Sequence, residues 1–176
     1  MLVGGKSSRM GRDKALLPFH GATLAEAVAA IVRDAAGAVR FVGAAAGDAA
    51  IPDLYPGEGP LGGILSALRE TPADWNLIVA CDMPGLKVEF LRRLLNDAEA
   101  SGSDAVVPSG PDGRLEPLCA AYHRRCYQPL LRAFESGVRK IVAGLAEVPV
   151  KISPCPAELA CFQNVNTPED WAPYER

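Results

Sequence analysis

The chain is 176 residues long and 49% hydrophobic, with 18 Lys and Arg against 21 Asp and Glu for a formal net charge of −3. That length fits one α/β domain spanning residues 1–176, with a core that needs neither disulfides nor a structural metal. The acidic balance argues against a nucleic-acid binder or a membrane-surface protein, both of which carry a basic excess, so an anionic substrate must be held by a few placed cations and backbone N–H groups.

Strand-like and helix-like segments alternate, which predicts a largely parallel sheet with covering helices. Leu24 to Ala36 reads as the first helix, with Thr23 as N-cap, Glu26 completing a capping box and Gly37 just past the end. Val39 to Val42 is a short strand, and Leu61 to Arg69 a helix starting beside Pro60. Leu77 to Cys81 is a continuous apolar run, the pattern of an interior strand buried on both faces. Val88 to Ala100 has helical spacing and Gly102 follows it. Asp104 to Val107 is a strand; the turn at Pro111-Asp112-Gly113 then leads into Leu118 to Tyr122 as an antiparallel addition. Helices over Arg124 to Phe134 and Val138 to Leu145, strands over Val148 to Ile152 and Cys161 to Val165, and a last helix from Pro168 complete the pattern.

The segment from Leu2 to Lys14 is rich in glycine and carries Arg9 and Lys14. Glycines let successive backbone N–H groups approach an anion, and the two cations suit phosphate oxygens. It is not a Walker A loop, because Gly5-Lys6-Ser7 lacks the glycine five positions before the lysine. Gly57-Glu58-Gly59-Pro60-Leu61-Gly62 fits the G-x-G-x-x-G pattern, but the strand before it would carry Pro52, Asp53 and Pro56. A regular buried strand does not tolerate that, so a dinucleotide-binding unit is disfavoured. Asp82 follows the apolar run directly and precedes Met83-Pro84. In open α/β sheets ligands gather beyond the carboxyl ends of the strands, and a carboxylate there suits Mg²⁺, a hard ion that keeps oxygen ligands.

The five cysteines, Cys81, Cys119, Cys126, Cys155 and Cys161, are odd in number and form no C-x-x-C pair. They read as small buried hydrophobes of a reducing compartment. No stretch approaches the ~20 apolar residues of a membrane span, and the opening residues show neither the apolar region nor the cleavage site expected of a signal peptide. The expected location is the cytoplasm. Of the two histidines, His20 falls in a turn and His123 reads as structural or acceptor-adjacent.

Taken together the segments resemble the nucleotidyltransferase superfamily, and most closely the molybdenum cofactor guanylyltransferases. Leu2-Val3-Gly4-Gly5 with Ser8-Arg9-Met10-Gly11 and Lys14 resembles the family's L-A-G-G-x-S-x-R-M-G-x-x-K signature. Gly59-Pro60-Leu61-Gly62-Gly63-Ile64 resembles G-P-L-A-G-I, Cys81-Asp82-Met83-Pro84 the metal-binding C-D-M-P, and Asn164 to Glu169 the closing N-[IV]-N-T-P-E. Glu116-Pro117-Leu118 to Tyr122-His123-Arg124 is similar to a further family segment.

The resemblance implies a Rossmann-like three-layer α/β/α domain with a mostly parallel mixed sheet. It also implies a reaction: GTP and molybdopterin-bound molybdenum give the guanine dinucleotide cofactor and pyrophosphate. Leu2, Val3 and Gly4 would contact the nucleotide through their backbone, with Gly5 shaping the loop. Lys14 and Arg9 would hold phosphates, Asp53 the nucleoside, and Asp82 Mg²⁺ and the nucleotide. Asn164 and Asn166 would sit on the acceptor side, and proteins of molybdenum-cofactor assembly are implied as partners.

The chain departs from the family pattern in places. Only Met1, Leu2 and Val3 precede the glycine loop, so the central first strand is expected to be nearly absent and the natural chain to start a few apolar residues upstream. Some members carry a guanine-recognising asparagine where this chain has Gly43, which leaves another NTP such as CTP open as donor. A non-catalytic nucleotide-binding protein of cofactor assembly is the alternative of a different class.

Overall fold

The first helix is set by its caps. In the computed structural model, which describes residues 1–3, 14–43, 50–155, 164–165 and 167–174, Thr23 Oγ1 accepts the Glu26 N–H at 3.2 Å and Glu26 Oε2 accepts the Thr23 N–H at 2.8 Å. The helix so started ends where Gly37 takes the left-handed conformation, φ 80°. In chain order the first elements are β1 (Pro18–Phe19), β2 (Ala22–Thr23), α1 (Leu24–Ala36), β3 (Phe41–Val42), β4 (Ala50–Ile51), α2 (Pro60–Glu70) and β5 (Trp75–Val79). There follow α3 (Val88–Ala100), β6 (Ala105–Ser109), β7 (Cys119–His123), α4 (Tyr127–Glu135), α5 (Ile141–Gly144), β8 (Val150–Pro154) and α6 (Pro168–Trp171).

β3 and β4 pair in parallel, and β5, β7, β6 and β8 form a four-stranded sheet in that order. β7 runs antiparallel to both neighbours, whereas β6 and β8 are parallel. The opening residues join the two sheets. Leu2 bridges Val42 on one side and Ala80 on the other, its N–H donating to Val79 O at 2.8 Å, while the Val3 N–H donates to Val42 O at 3.0 Å. The central first strand is thus reduced, as expected, to the bridges of Leu2, and the spatial order is β4, β3, residues 1–3, β5, β7, β6, β8.

Helices cover both faces. On one, Leu24 and Val28 of α1 and Phe90 and Leu91 of α3 share a core with Val79. On the other, Ile64 and Leu65 of α2, Leu130 of α4 and Ile141 of α5 share a core with Ile78. Ile78 and Val79 are neighbours on β5 that point to opposite faces, and both are buried. The result is the mostly parallel, mixed, three-layer α/β/α architecture. No helix among the described residues is long and apolar enough to cross a membrane.

The differences from the sequence reading are local. β5 begins at Trp75 rather than Leu77 because Trp75 and Asn76 pair with His123 and Tyr122, and it ends at Val79. The β1–β2 hairpin escaped the reading: its strands are two residues each, joined by His20 and Gly21 at φ 49° and 82°, the paired positive values of a tight hairpin turn. Arg124 to Phe134 divides into a 3-10 turn, Arg124–Cys126, and α4. Val138 to Leu145 shortens to α5 with a 3-10 turn, Leu145–Glu147. Of the strand expected over Cys161 to Val165, residues 161–163 lie outside the described residues.

Candidate active site

Beyond β5 the chain turns through Ala80, Cys81 and Asp82 into Met83, which is fully buried and accepts the Leu86 N–H at 3.2 Å. The Asp82 carbonyl accepts the Val165 N–H at 2.9 Å. That bond ties the C-terminal segment to the turn and explains why Asn164, so distant in sequence, reaches the same place. Lys14 opens a 3-10 turn, Lys14–Leu16, closed by the Leu17 N–H on Lys14 O at 3.1 Å and seated on α1 by the Leu24 N–H on Leu17 O at 2.8 Å. Lys14 Nζ lies 3.4 Å from Asp82 Oδ2, with the two side chains 16% and 21% exposed.

This pair sits in a cavity of about 1070 Å³ at the carboxyl ends of the parallel strands. Leu2, Val3, Lys14, Asp53, Asp82 and Asn164, all singled out from sequence, line it together. Gly4, Gly5, Arg9 and Asn166 lie outside the described residues. His123 is at the other end of the sheet, opposite Trp75 at the start of β5, buried against the Trp75 ring with centroids 5.1 Å apart. Its role is structural: its Nδ1 accepts the Arg125 N–H at 3.1 Å.

Asp53 shapes the wall as well as lining it. Its Oδ1 accepts the Tyr55 N–H at 3.0 Å and lies 3.4 Å from Ser66 Oγ, leaving Oδ2 for a ligand. Ser66, wholly buried on α2, accepts the Leu54 N–H at 3.0 Å and donates to Gly62 O at 2.9 Å. Sequence reasoning missed Ser66. The one available signal was a hydroxyl on the apolar face of a helix, where a partner is obligatory.

Of the deceptive G-x-G-x-x-G run, Gly62 serves packing, since a Cβ there would come within 2.8 Å of Tyr55 Cβ, whereas Gly57 and Gly59 serve the turn, at φ 81° and 87° with open space around them. Gly43 has φ 83°, and a Cβ there would fall on the carbonyl oxygen of Val3. Even asparagine, which tolerates left-handed angles, could not stand at this position without moving the central strand.

The opposite wall comes from the segment before β7. Glu116 is fixed through its backbone: its N–H donates to Pro108 O at 2.9 Å and its carbonyl accepts the Cys119 N–H at 3.0 Å. Pro117 O accepts the Tyr122 hydroxyl at 2.8 Å, which locks the same segment. The Glu116 side chain is 12% exposed and its Oε1 lies 3.7 Å from Nε of Arg114, itself 74% exposed. Burial pushes the Glu116 carboxyl above its usual range; Arg114 opposes this, and Asp112 and Asp82 reinforce it. The sequence reading noted this segment without giving Arg114 or Glu116 a role. Among the described lining residues the cations are Lys14 and Arg114 and the acids Asp53, Asp82 and Glu116.

Comparison with known proteins identifies the family. The family model described as a MobA-like NTP transferase domain matches residues 1–149. A probable molybdenum cofactor guanylyltransferase of Nostoc is 35% identical over 98% of this chain and 87% of its own length. A protein of the same description from Bacillus cereus is 32% identical over 97% and 92%. The crystal structure of molybdopterin-guanine dinucleotide biosynthesis protein A from Archaeoglobus fulgidus superposes with a TM-score of 0.84 at 32% identity, covering 99% of this chain and 94% of that one. A cytidylyltransferase from Thermus thermophilus, at 20% identity and a TM-score of 0.70, shares the fold. The chain belongs to the family of MobA-like NTP transferase domains.

Proposed function

We propose that this protein transfers GMP from GTP to the terminal phosphate of molybdopterin-bound molybdenum, forming the guanine dinucleotide cofactor and releasing pyrophosphate. The observation that carries this reading is Lys14 Nζ 3.4 Å from Asp82 Oδ2 in a cavity also lined by Leu2, Val3 and Asp53. The names borne by relatives above 30% identity supply the donor and the acceptor.

The acceptor's phosphate oxygen forms a bond to the α-phosphorus as the bond to the β-phosphate bridging oxygen breaks, and the electron pair leaves with pyrophosphate. Nucleophile and donor are both anions, so positioning and charge neutralisation carry the catalysis. The acceptor phosphate is ionised near neutral pH and demands no general base. Lys14 places a positive charge beside the phosphate chain, and Asp53 Oδ2 holds the nucleoside. Asp82 is a hard carboxylate beside that charge, which fits Mg²⁺, and Asn164 stands at the same edge. When bound, Mg²⁺ neutralises phosphate charge and fixes the geometry of the phosphate oxygens.

A thermal-shift series with GTP, CTP, ATP and UTP in Mg²⁺ tests the donor. At a hundredfold excess over Kd, linkage stabilises the folded state by about 2.7 kcal/mol, and selective stabilisation by GTP is expected. Equal shifts for all four, or a larger shift with CTP, would refute the guanylyl assignment.

A further inference from the structure

The wall formed by the segment before β7 has no part in the chemistry above, and its most buried acid is Glu116. A carboxylate offers about four acceptor positions. This one is 12% exposed, and its ion-pair partner is a largely exposed arginine at 3.7 Å. Holding a carboxylate out of water is costly unless N–H donors reach it. Hydrogen bonds at Pro108, Cys119 and Tyr122 fix the backbone on both sides of it, so the group is aimed at the cavity by a rigid hairpin. Leu115 and Leu118, its neighbours along the chain, and Val142 of α5 line the same cavity. Val142 is 52% exposed, a large apolar side chain presented to solvent at the cavity rim.

Strand order separates this wall from the nucleoside side. Asp53 follows β4 and Glu116 precedes β7, four strand positions apart, or roughly 19 Å at a spacing of about 4.8 Å. Asp82, after β5, lies between them. A donor held along Asp53 and Asp82 therefore leaves the Glu116 wall to the second substrate.

Resting on the guanylyl-transfer reading, we infer that Glu116 reads the heterocycle of the acceptor. Its carboxylate accepts two adjacent N–H groups of a 2-amino-4-oxopyrimidine edge, the edge a pterin presents, while Leu115, Leu118 and Val142 supply the apolar surface for the ring. A pair of charge-assisted hydrogen bonds at a nearly dry site discriminates strongly against a ring that lacks one donor.

Direct binding tests this without turnover. The probes are 6-hydroxymethylpterin and 6-hydroxymethyllumazine, which differ in that oxygen replaces the 2-amino group. At about 0.3 kcal/mol per atom a fragment of this size binds in the millimolar range, within reach of ligand-observed NMR. The wild-type chain is expected to bind the pterin at least about tenfold more tightly than the lumazine, with and without saturating GTP and Mg²⁺, and Glu116→Gln to lose about that factor for the pterin while its GTP affinity stays unchanged. Equal binding of the two probes, or no binding of either at about 10 mM, overturns the proposal. So does displacement of the pterin by GTP, which would assign Glu116 to guanine, or weakened GTP binding in Glu116→Gln, which would assign it to the nucleotide or its metal. Failure of the guanylyl reading is a separate outcome, seen as absent GTP selectivity in the wild-type chain whatever the pterin does.

Discussion

Ser66→Ala removes one oxygen atom, and the structure sets what that costs. The hydroxyl accepts the Leu54 N–H at 3.0 Å and donates to Gly62 O at 2.9 Å, with Asp53 Oδ1 3.4 Å away. Gly62 O loses an auxiliary bond only, and Asp53 keeps the Tyr55 N–H. The Leu54 N–H is orphaned, which costs about 1–3 kcal/mol when no water replaces the acceptor. Leu54 is 37% exposed, so water reaches this segment and the lower half of that range applies; the better helix propensity of alanine offsets a few tenths more. The net loss is about 0.5–1.5 kcal/mol, or roughly 2–5 °C in Tm for a domain of this size. Because the untethered segment carries Asp53, KM for GTP rises several-fold while kcat holds, the signature of a group that binds ground and transition states alike. Urea denaturation followed by circular dichroism, with steady-state pyrophosphate release, measures both. An unchanged denaturation midpoint would refute the claim that Ser66 organises this wall, as would a fall in kcat at constant KM.

Gly43→Ala places a Cβ on the Val3 carbonyl at φ 83°. Left-handed strain of about 1–2 kcal/mol plus displacement of the central strand gives a loss of about 2–4 kcal/mol by chemical denaturation, and a loss below 1 kcal/mol would show that the strand yields easily. Lys14→Ala is expected to lower kcat about 10²–10³-fold with the fold intact; a change confined to KM would make Lys14 a uniform binding residue. Asp82→Ala is expected to abolish Mg²⁺-dependent turnover while the circular dichroism spectrum is unchanged, and residual Mg²⁺-stimulated activity would place the ion elsewhere. Burial, and then Arg125, hold His123 below its usual range, against the pull of Asp74 and Asp104. The unfolded chain then binds the His123 proton more readily, so stability falls as pH drops through about 6.5 toward the folded value. His123→Gln is expected to flatten that acid limb in urea titrations, and an unaltered slope would remove His123 from the acid sensitivity.

Elements with local causes were legible in the sequence. The capping box at Thr23 and Glu26, the apolar spacing of Phe90, Leu91 and Leu94, and the double-sided run at Ile78 and Val79 each fix an element without help from distant residues. The places where the reading slipped depend on pairing partners. Trp75 and Asn76 become strand only because β7 lies beside them, and the His20-Gly21 turn becomes a hairpin only because Pro18 and Phe19 pair with Thr23 and Ala22. The site divides in the same way. Lys14 and Asp82 are residue types that phosphate and metal sites use, standing where such sites form, so they were legible from the residues themselves, whereas Asp53 was singled out only by the family resemblance. Ser66 and Glu116 act through burial and backbone geometry, quantities that one sequence does not display.

The reversed strand β7 explains how a doubly wound sheet acquires its second wall. Parallel strands deliver their carboxyl ends, and the loops after them, to the ligand crevice, while the segments that precede them arrive on the far side. β7 runs the other way, so the segment leading into it, 114–118, reaches the crevice instead. The Ala80 N–H on Leu118 O at 2.8 Å extends the β5–β7 ladder and sets Leu118 beside the turn that carries Asp82. All five residues of β7 are buried, and each pairs with a residue of β5, from Trp75 with His123 to Val79 with Cys119. A one-residue slip would turn every one of those side chains to the opposite face. The register that packs the core is thus the register that points Glu116 at the cavity, and repacking β7 would disturb the acceptor wall before it reached Lys14 or Asp53.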